Sequence, residues 1–192
     1  MFKIFIITFS FLCYTFSYAQ KKSGTVVYNV ADISVPFKEG NPQNDYIKSI
    51  IEVGKSQKFN LQFNSFSSSF TQIETLTNER DDENLIKFAK IAYTTSDNFF
   101  FFFSNKIVIT KTEDNTLIKT SSISEGWTIL KDEKKIGNYL CYKAEYKKII
   151  TTRDGKDKVI IITAWFAPSL PYSFGPKEFH GLPGLILELN DR

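Results

Sequence analysis

The sequence predicts a mainly β fold, a β-rich α+β arrangement in which an antiparallel sheet, curved or closed into a partial barrel, carries one or two short helices. Three observations predict it. The chain holds 19 phenylalanines and is rich in Tyr, Ile and Thr, residues that suit a pleated, half-buried surface better than a helix. Several segments alternate apolar and polar residues with the two-residue period of a strand. Two long strand candidates near the C-terminus are joined by Arg153-Asp154-Gly155, and Asp-Gly is a strong short-range hairpin signal.

The elements follow in chain order. Residues 1–19 read as a cleavable secretory signal peptide. Lys3 supplies the positive start, Ile4 to Phe16 the apolar stretch, and Ser17-Tyr18-Ala19 the small residues before the cut, leaving Gln20 as the mature N-terminus. The apolar stretch is shorter than the roughly 20 residues of a comfortable transmembrane helix. Residues 20–192 are expected to form a single β-rich domain. Thr25 to Val30 is its first strand. Behind Asn44 or Asp45 as N-cap, Tyr46, Ile47, Ile50 and Ile51 recur at helical spacing, so a short helix is expected before Gly54. Phe59 to Phe63 and Phe66 to Ile73 then read as two paired strands.

The polar run Asn78 to Asn84 is a loop or the exposed start of a second helix, which Leu85, Phe88 and Ala89 support by their spacing. Phe99 to Phe103 is five consecutive phenylalanines, a pattern that does not separate a buried strand from an interaction patch. A strand is favoured because Ile107 to Thr110 follows. Trp127 to Leu130, Tyr139 to Ile150, and Lys158 to Phe166 form a meander. On the second of these, Leu140, Tyr142, Ala144 and Tyr146 share one face; Cys141 lies on the other with Lys143, Glu145 and Lys147. The third is apolar on both faces, which predicts cover on both sides. From Pro168 to Pro183 prolines and glycines punctuate the chain too often for a regular element. That stretch is expected to return the chain from the Trp165 strand to a strand at Leu185 to Leu189, bringing Trp165 and Phe166 into the core.

Charge excludes some functions. The net charge of +3 comes from 24 basic and 21 acidic residues, a small imbalance without the clustered Lys and Arg that track a nucleic-acid backbone. Lys143, Lys147 and Lys148, with Glu145 among them, read as a solvated strand face. With Cys13 in the leader, Cys141 is the one cysteine and His180 the one histidine of the mature chain, so no intramolecular disulfide and no zinc site is expected. Asp81, Asp82 and Glu83 lack the ligand spacing of a calcium loop. The glycines form neither a P-loop nor a dinucleotide fingerprint. No cofactor is expected. Cys141 and His180 could be joined by folding into a thiolate and its base; the alternatives are a small buried thiol and a partly exposed turn imidazole.

Near the C-terminus stands the hexapeptide Gly181-Leu182-Pro183-Gly184-Leu185-Ile186. With Trp127, residues 136–144, Ala164-Trp165-Phe166 and Gly175-Pro176 in the same order, it resembles the GLPGLI family of exported proteins of Gram-negative bacteria. The resemblance implies export and a β-rich fold, and supplies no catalytic residue. Family members continue beyond this motif, so a C-terminal truncation is expected. From its residues, the hexapeptide is either a specialised turn feeding a core strand or a loop whose backbone N–H groups meet a ligand.

Function expected on these grounds is that of an exported envelope protein, periplasmic, outer-membrane-associated or secreted. It would act as a binding module for an envelope protein, a peptide or an apolar ligand, touching a membrane at most peripherally. The aromatic excess without catalytic residues motivates that expectation. The alternative from another class is a thiol-dependent hydrolase or redox protein using Cys141 and His180.

Overall fold

Alternation of side chains along the strands builds two cores rather than one. The computed structural model describes residues 23–31, 44–74, 83–121 and 126–191. Within them the first sheet comprises β1 (Gly24–Asn29), β2 (Lys58–Phe63), β3 (Ser67–Ile73), β4 (Asn98–Phe102), β5 (Ile107–Lys111) and β6 (Leu117–Ser121). Its neighbours are antiparallel and follow chain order. Helix α1 (Asn44–Ser56) lies between β1 and β2 in sequence, and α2 (Glu83–Tyr93) between β3 and β4. The second sheet holds β7 (Trp127–Ile136), β8 (Tyr139–Thr151), β9 (Asp157–Ala167) and β10 (Leu185–Asn190), in the antiparallel order β10-β9-β8-β7.

The inward row of the first sheet is aromatic. Phe59, Leu61, Phe63, Phe70, Phe99, Phe101 and Val108 are buried together with Phe174 and Leu185. Phe59 stacks on Phe70 at 5.3 Å between ring centroids, and Phe63 on Phe174 at the same distance. Each such ring contributes about 2–3 kcal/mol on burial. The second sheet buries Ala144, Ile162, Ala164 and Phe166 against Phe179, Leu182 and Ile186. Phe174 and Phe179 both belong to the stretch between β9 and β10, which contains neither helix nor strand. This irregular connection therefore supplies side chains to both cores.

Strand β10 enters between the cores. Consecutive strand residues point to opposite faces, so Leu185 joins the first cluster and Ile186 the second. The Tyr28 hydroxyl on β1 donates to the Ile186 carbonyl at 2.5 Å, and burial raises its pKa above the ordinary phenol value. The hydroxyl is thus a neutral donor under all ordinary conditions.

The mostly β class with two short helices is as the composition predicts. The partial barrel is not: the strands divide into two sheets, and neither closes. The helices pack on each other, and Thr94 beyond α2 donates to Gln57 Oε1 beyond α1, tying their ends together. Helix α1 also runs past Gly54 to Ser56. Strand β9 is covered on both faces only toward its end, because Val159 and Ile161 are exposed, as is the neighbouring Ile149 on β8. The leader and most of the polar run before Glu83 lie outside the described residues.

Candidate functional site

The outward face of the first sheet carries the cavity. Thr25, Gln62, Ser69, Phe100 and Ile109 follow one another across β1 to β5 as register partners; Ser67 faces Phe102 in the adjoining row. A row that sets small serines between the amide of Gln62 and two phenyl rings leaves a trough of about 450 Å³, within the usual size of a ligand site. Phe102 is 40% exposed there. Gly24, Phe63 and Asn64 are among the residues that complete the lining, and none of the lining residues that the structure describes carries an ionisable side chain.

The five-phenylalanine run explains one wall. On β4 the pleat turns Phe99 and Phe101 inward, where they are buried, and leaves Phe100 and Phe102 outward. The run is thus a strand with two rings buried and two on the outward face. Asn64 shapes the end of the trough: its Oδ1 accepts from the backbone N–H groups of Phe66 at 2.8 Å and Ser67 at 3.0 Å. An Asx arrangement of this kind closes the β2–β3 turn and leaves the amide NH₂ as what Asn64 can offer a ligand.

The hexapeptide lies elsewhere. Gly181 N–H donates to Ser173 O at 3.0 Å, Gly184 N–H to Leu182 O at 2.8 Å, Leu185 N–H to Leu170 O at 2.9 Å and Ile186 N–H to Phe174 O at 3.0 Å. These donors are spent inside the chain, so they offer no nest to an anion. Leu182, Leu185 and Ile186 are buried, whereas Gly181 and Pro183 are exposed. Gly181 has φ +94°, a conformation that favours glycine. A Cβ on Gly184 would stand 2.3 Å from Ala167 O. The motif's geometry is that of a turn pressed against the end of β9.

His180 is not the partly exposed turn residue its neighbourhood implies. It is 5% exposed, stacked on Phe101 at 4.0 Å between centroids. Its Nδ1 lies 2.8 Å from Glu178 O, which makes Nδ1–H the donor, and its own carbonyl accepts from Trp127 Nε1 at 3.0 Å. Burial lowers the imidazole pKa, opposed by the Glu178 carbonyl and carboxylate. An imidazole held neutral by the fold contributes stability present above the unfolded value near 6.5, and lost as pH falls through the lower folded value. We expect the melting temperature to fall on acidification below pH 6.5. His180→Phe should lose that part of the slope while keeping the stack on Phe101. Parallel thermal melts at pH 7 and pH 5 check this; equal pH slopes in the two proteins would refute it.

Cys141 occupies the far face of the second sheet. It is fully buried although it shares its face with Lys143 and Glu145, which pair at 2.9 Å. Its register partner on β7 is Lys134. That side chain lies over the Trp165 ring at 4.3 Å and reaches Glu188 Oε1 at 2.6 Å, crossing from β7 to β10. Burial pushes the Cys141 thiol pKa up, with Lys134 among the weaker opposing influences, so the thiol stays protonated and a poor nucleophile. The structure does not bring Cys141 and His180 together. Tyr142 and Ala144, on the opposite face of β8 from Cys141, are the residues that pack with the Phe179–Leu182 side. Trp165 likewise faces away from the connection, and only Phe166 enters that core.

The hexapeptide also lies within a segment that matches a family model. Residues 153–188 match the model described as "Protein of unknown function (Porph_ging)". The match spans β9, the irregular connection and the start of β10, and includes all six residues of the hexapeptide. It leaves the trough outside. No curated protein and no solved structure matches the chain. Among the described residues, no group of three or more His, Cys, Asp or Glu side chains is placed to hold a metal ion, and no helix is long and apolar enough to cross a membrane. Of the trough, the sequence reading singled out only the phenylalanine wall. Gln62, Ser67 and Ser69 carried no signal beyond that of an ordinary polar strand face.

Proposed function

We propose that the protein is an exported, non-catalytic binding module of the cell envelope, a member of the GLPGLI family, whose ligand occupies the trough on the outward face of the first sheet. The single observation that carries this reading is the cavity of about 450 Å³ walled by Phe100 and Phe102. Outward phenyl rings beside a cavity are costly to leave in water and gain when a ligand covers them. The leader and the hexapeptide support export and family. The second core, the connection and the hexapeptide serve as the frame that holds the first sheet's aromatic core from behind.

A purely apolar ligand would satisfy the phenyl wall and strand the hydroxyl and amide groups opposite it. The expectation of an apolar or peptide-like partner therefore narrows to a ligand with both characters. The test is native mass spectrometry of the protein purified without denaturation from the envelope of its own host. The parent should carry a non-covalent adduct, and Ser69→Trp, which fills the trough from the solvent side, should not. A parent without an adduct, or the same adduct on both proteins, would sink the proposal. In the same preparation the mature N-terminus should read Gln20; a protein retaining residues 1–19 in the cytoplasmic fraction would overturn the export part.

A further inference from the structure

We infer that the ligand class of the trough is an uncharged saccharide, an inference that rests on the trough being the binding site. Three features of the lining select it. The first is the lack of any ionisable side chain among the described residues of the lining. A charged ligand entering the trough would give up hydration without meeting a counter-charge, so carboxylated, sulfated, phosphorylated and amine-bearing ligands are disfavoured together.

The second is the chemistry of the polar side. Thr25, Ser67 and Ser69 offer hydroxyls, and Gln62 and Asn64 offer amides. Hydroxyls and the Gln62 amide both donate and accept, and Asn64 keeps its NH₂ as a donor. A sugar hydroxyl donates and accepts as well, so each of these groups can be paired as the ring turns. An alkyl chain would leave all of these groups unpaired when it excluded water from them.

The third is the apolar wall. Phe100 and Phe102 are two residues apart on β4 and both outward, which sets their attachment points about 7 Å apart along the strand. That spacing is on the scale of one to two sugar rings. Aromatic faces are electron-rich, and the axial C–H bonds of a pyranose present a weakly positive apolar face to meet them. A ligand with one apolar face and a fringe of neutral hydroxyls is what a trough with one phenyl wall and one hydroxyl–amide wall complements. A peptide is disfavoured over the floor of the trough because the outward sheet face offers side chains, while β2, β3 and β4 each have both backbone edges paired, which leaves strand addition only to the outer edge of β1 at the trough's margin.

The experiment is titration of the isotope-labelled mature protein, followed by amide and side-chain resonances, with three sets of probes. The neutral set is maltohexaose, cellohexaose, mannohexaose and chitohexaose; the charged set is hexagalacturonate and chitosan hexamer; the third is an uncharged, terminally blocked Ser/Ala hexapeptide. We expect at least one neutral oligosaccharide to shift resonances of Gln62, Ser67, Ser69, Phe100 and Phe102 with saturation. Phe100→Ala and Phe102→Ala should each weaken it at least tenfold without changing the far-ultraviolet circular dichroism. A trough that responds to the charged sugars or the peptide and to no neutral sugar would overturn the saccharide assignment while leaving the binding module standing. A trough that responds to no probe overturns the assignment too, and if Ser69→Trp also keeps the parent's adduct, the proposed function falls with it.

Discussion

Gly184→Val is expected to lower the melting temperature by roughly 6–12 °C, the shift that about 3 kcal/mol produces in a chain of this size. The magnitude follows from what the new side chain meets. A Cβ at this position would lie 2.3 Å from Ala167 O, 2.6 Å from Ala167 C and 2.9 Å from Pro168 N. All three are backbone atoms, so no rotamer change relieves the overlap. The crossing of the hexapeptide over the end of β9 must open instead, and with it the ladder that pairs Leu185 with Ala167. Two neighbours calibrate the result. Gly181→Ala carries the cost of a positive φ, about 1–3 kcal/mol, whereas Pro183→Ala, at an exposed site, should change the melting temperature by no more than about 2 °C. Thermal melts followed by circular dichroism rank the three. A Gly184→Val protein melting with the parent would show that the crossing is not tight, and the turn reading of the hexapeptide would fail.

Much of the fold is legible in the sequence because burial on one face writes itself as a period of two. Strands β2, β8 and β9 carry that period or an apolar run long enough to identify them, and Asp154-Gly155 marks the hairpin, where Gly155 has φ +76°. Strand β6 does not. Leu117-Ile118-Lys119-Thr120-Ser121 is exposed along its whole length, so no core imposes alternation on it, and pairing with β5 alone makes it a strand. Failure of the barrel expectation has a related cause. A sequence shows which residues face inward, but the partner of each face depends on where a sheet stops. Here it stops after β6, and the inward residues of the two sheets meet the connection between β9 and β10, with Leu185 of β10 also reaching the first core.

The site was legible by half. Five phenylalanines in a row flag a surface with more apolar area than one face can bury, and two of them remain outward beside the trough. The opposing wall was hidden because a serine or glutamine facing solvent is the commonest reading of a polar strand residue, and only register across four strands turns Thr25, Gln62 and Ser69 into one side of a cavity. Cys141 and His180 are both more buried than their neighbours in sequence imply. Across the hairpin Cys141 pairs with Lys134, whose side chain lies over Trp165, and Phe101 of the first sheet stacks on His180.

Phe174→Ala should cost about 3–5 kcal/mol, as removal of a buried aromatic ring does, and should destabilise both sheets although its ring packs in only one. The ring sits against Phe63 at 5.3 Å and Phe101 at 6.2 Å in the first core. The carbonyl of the same residue accepts from Ile186 N–H at 3.0 Å, and Ile186 is part of the second core. Loss of the ring loosens the segment that holds this carbonyl in place, and so transmits the damage. The chain supplies its own reporters, because its two tryptophans, Trp127 and Trp165, both belong to the second sheet. Tryptophan emission and far-ultraviolet circular dichroism should therefore shift together, to the same lower midpoint, in a single cooperative transition. Leu182→Ala, made in the second core, should lower both signals in the same concerted way by about 2–5 kcal/mol. If the tryptophan transition of Phe174→Ala stays at the parent's midpoint while circular dichroism acquires an early phase, the sheets unfold independently, and the role of the β9–β10 connection as the link between the two cores is wrong.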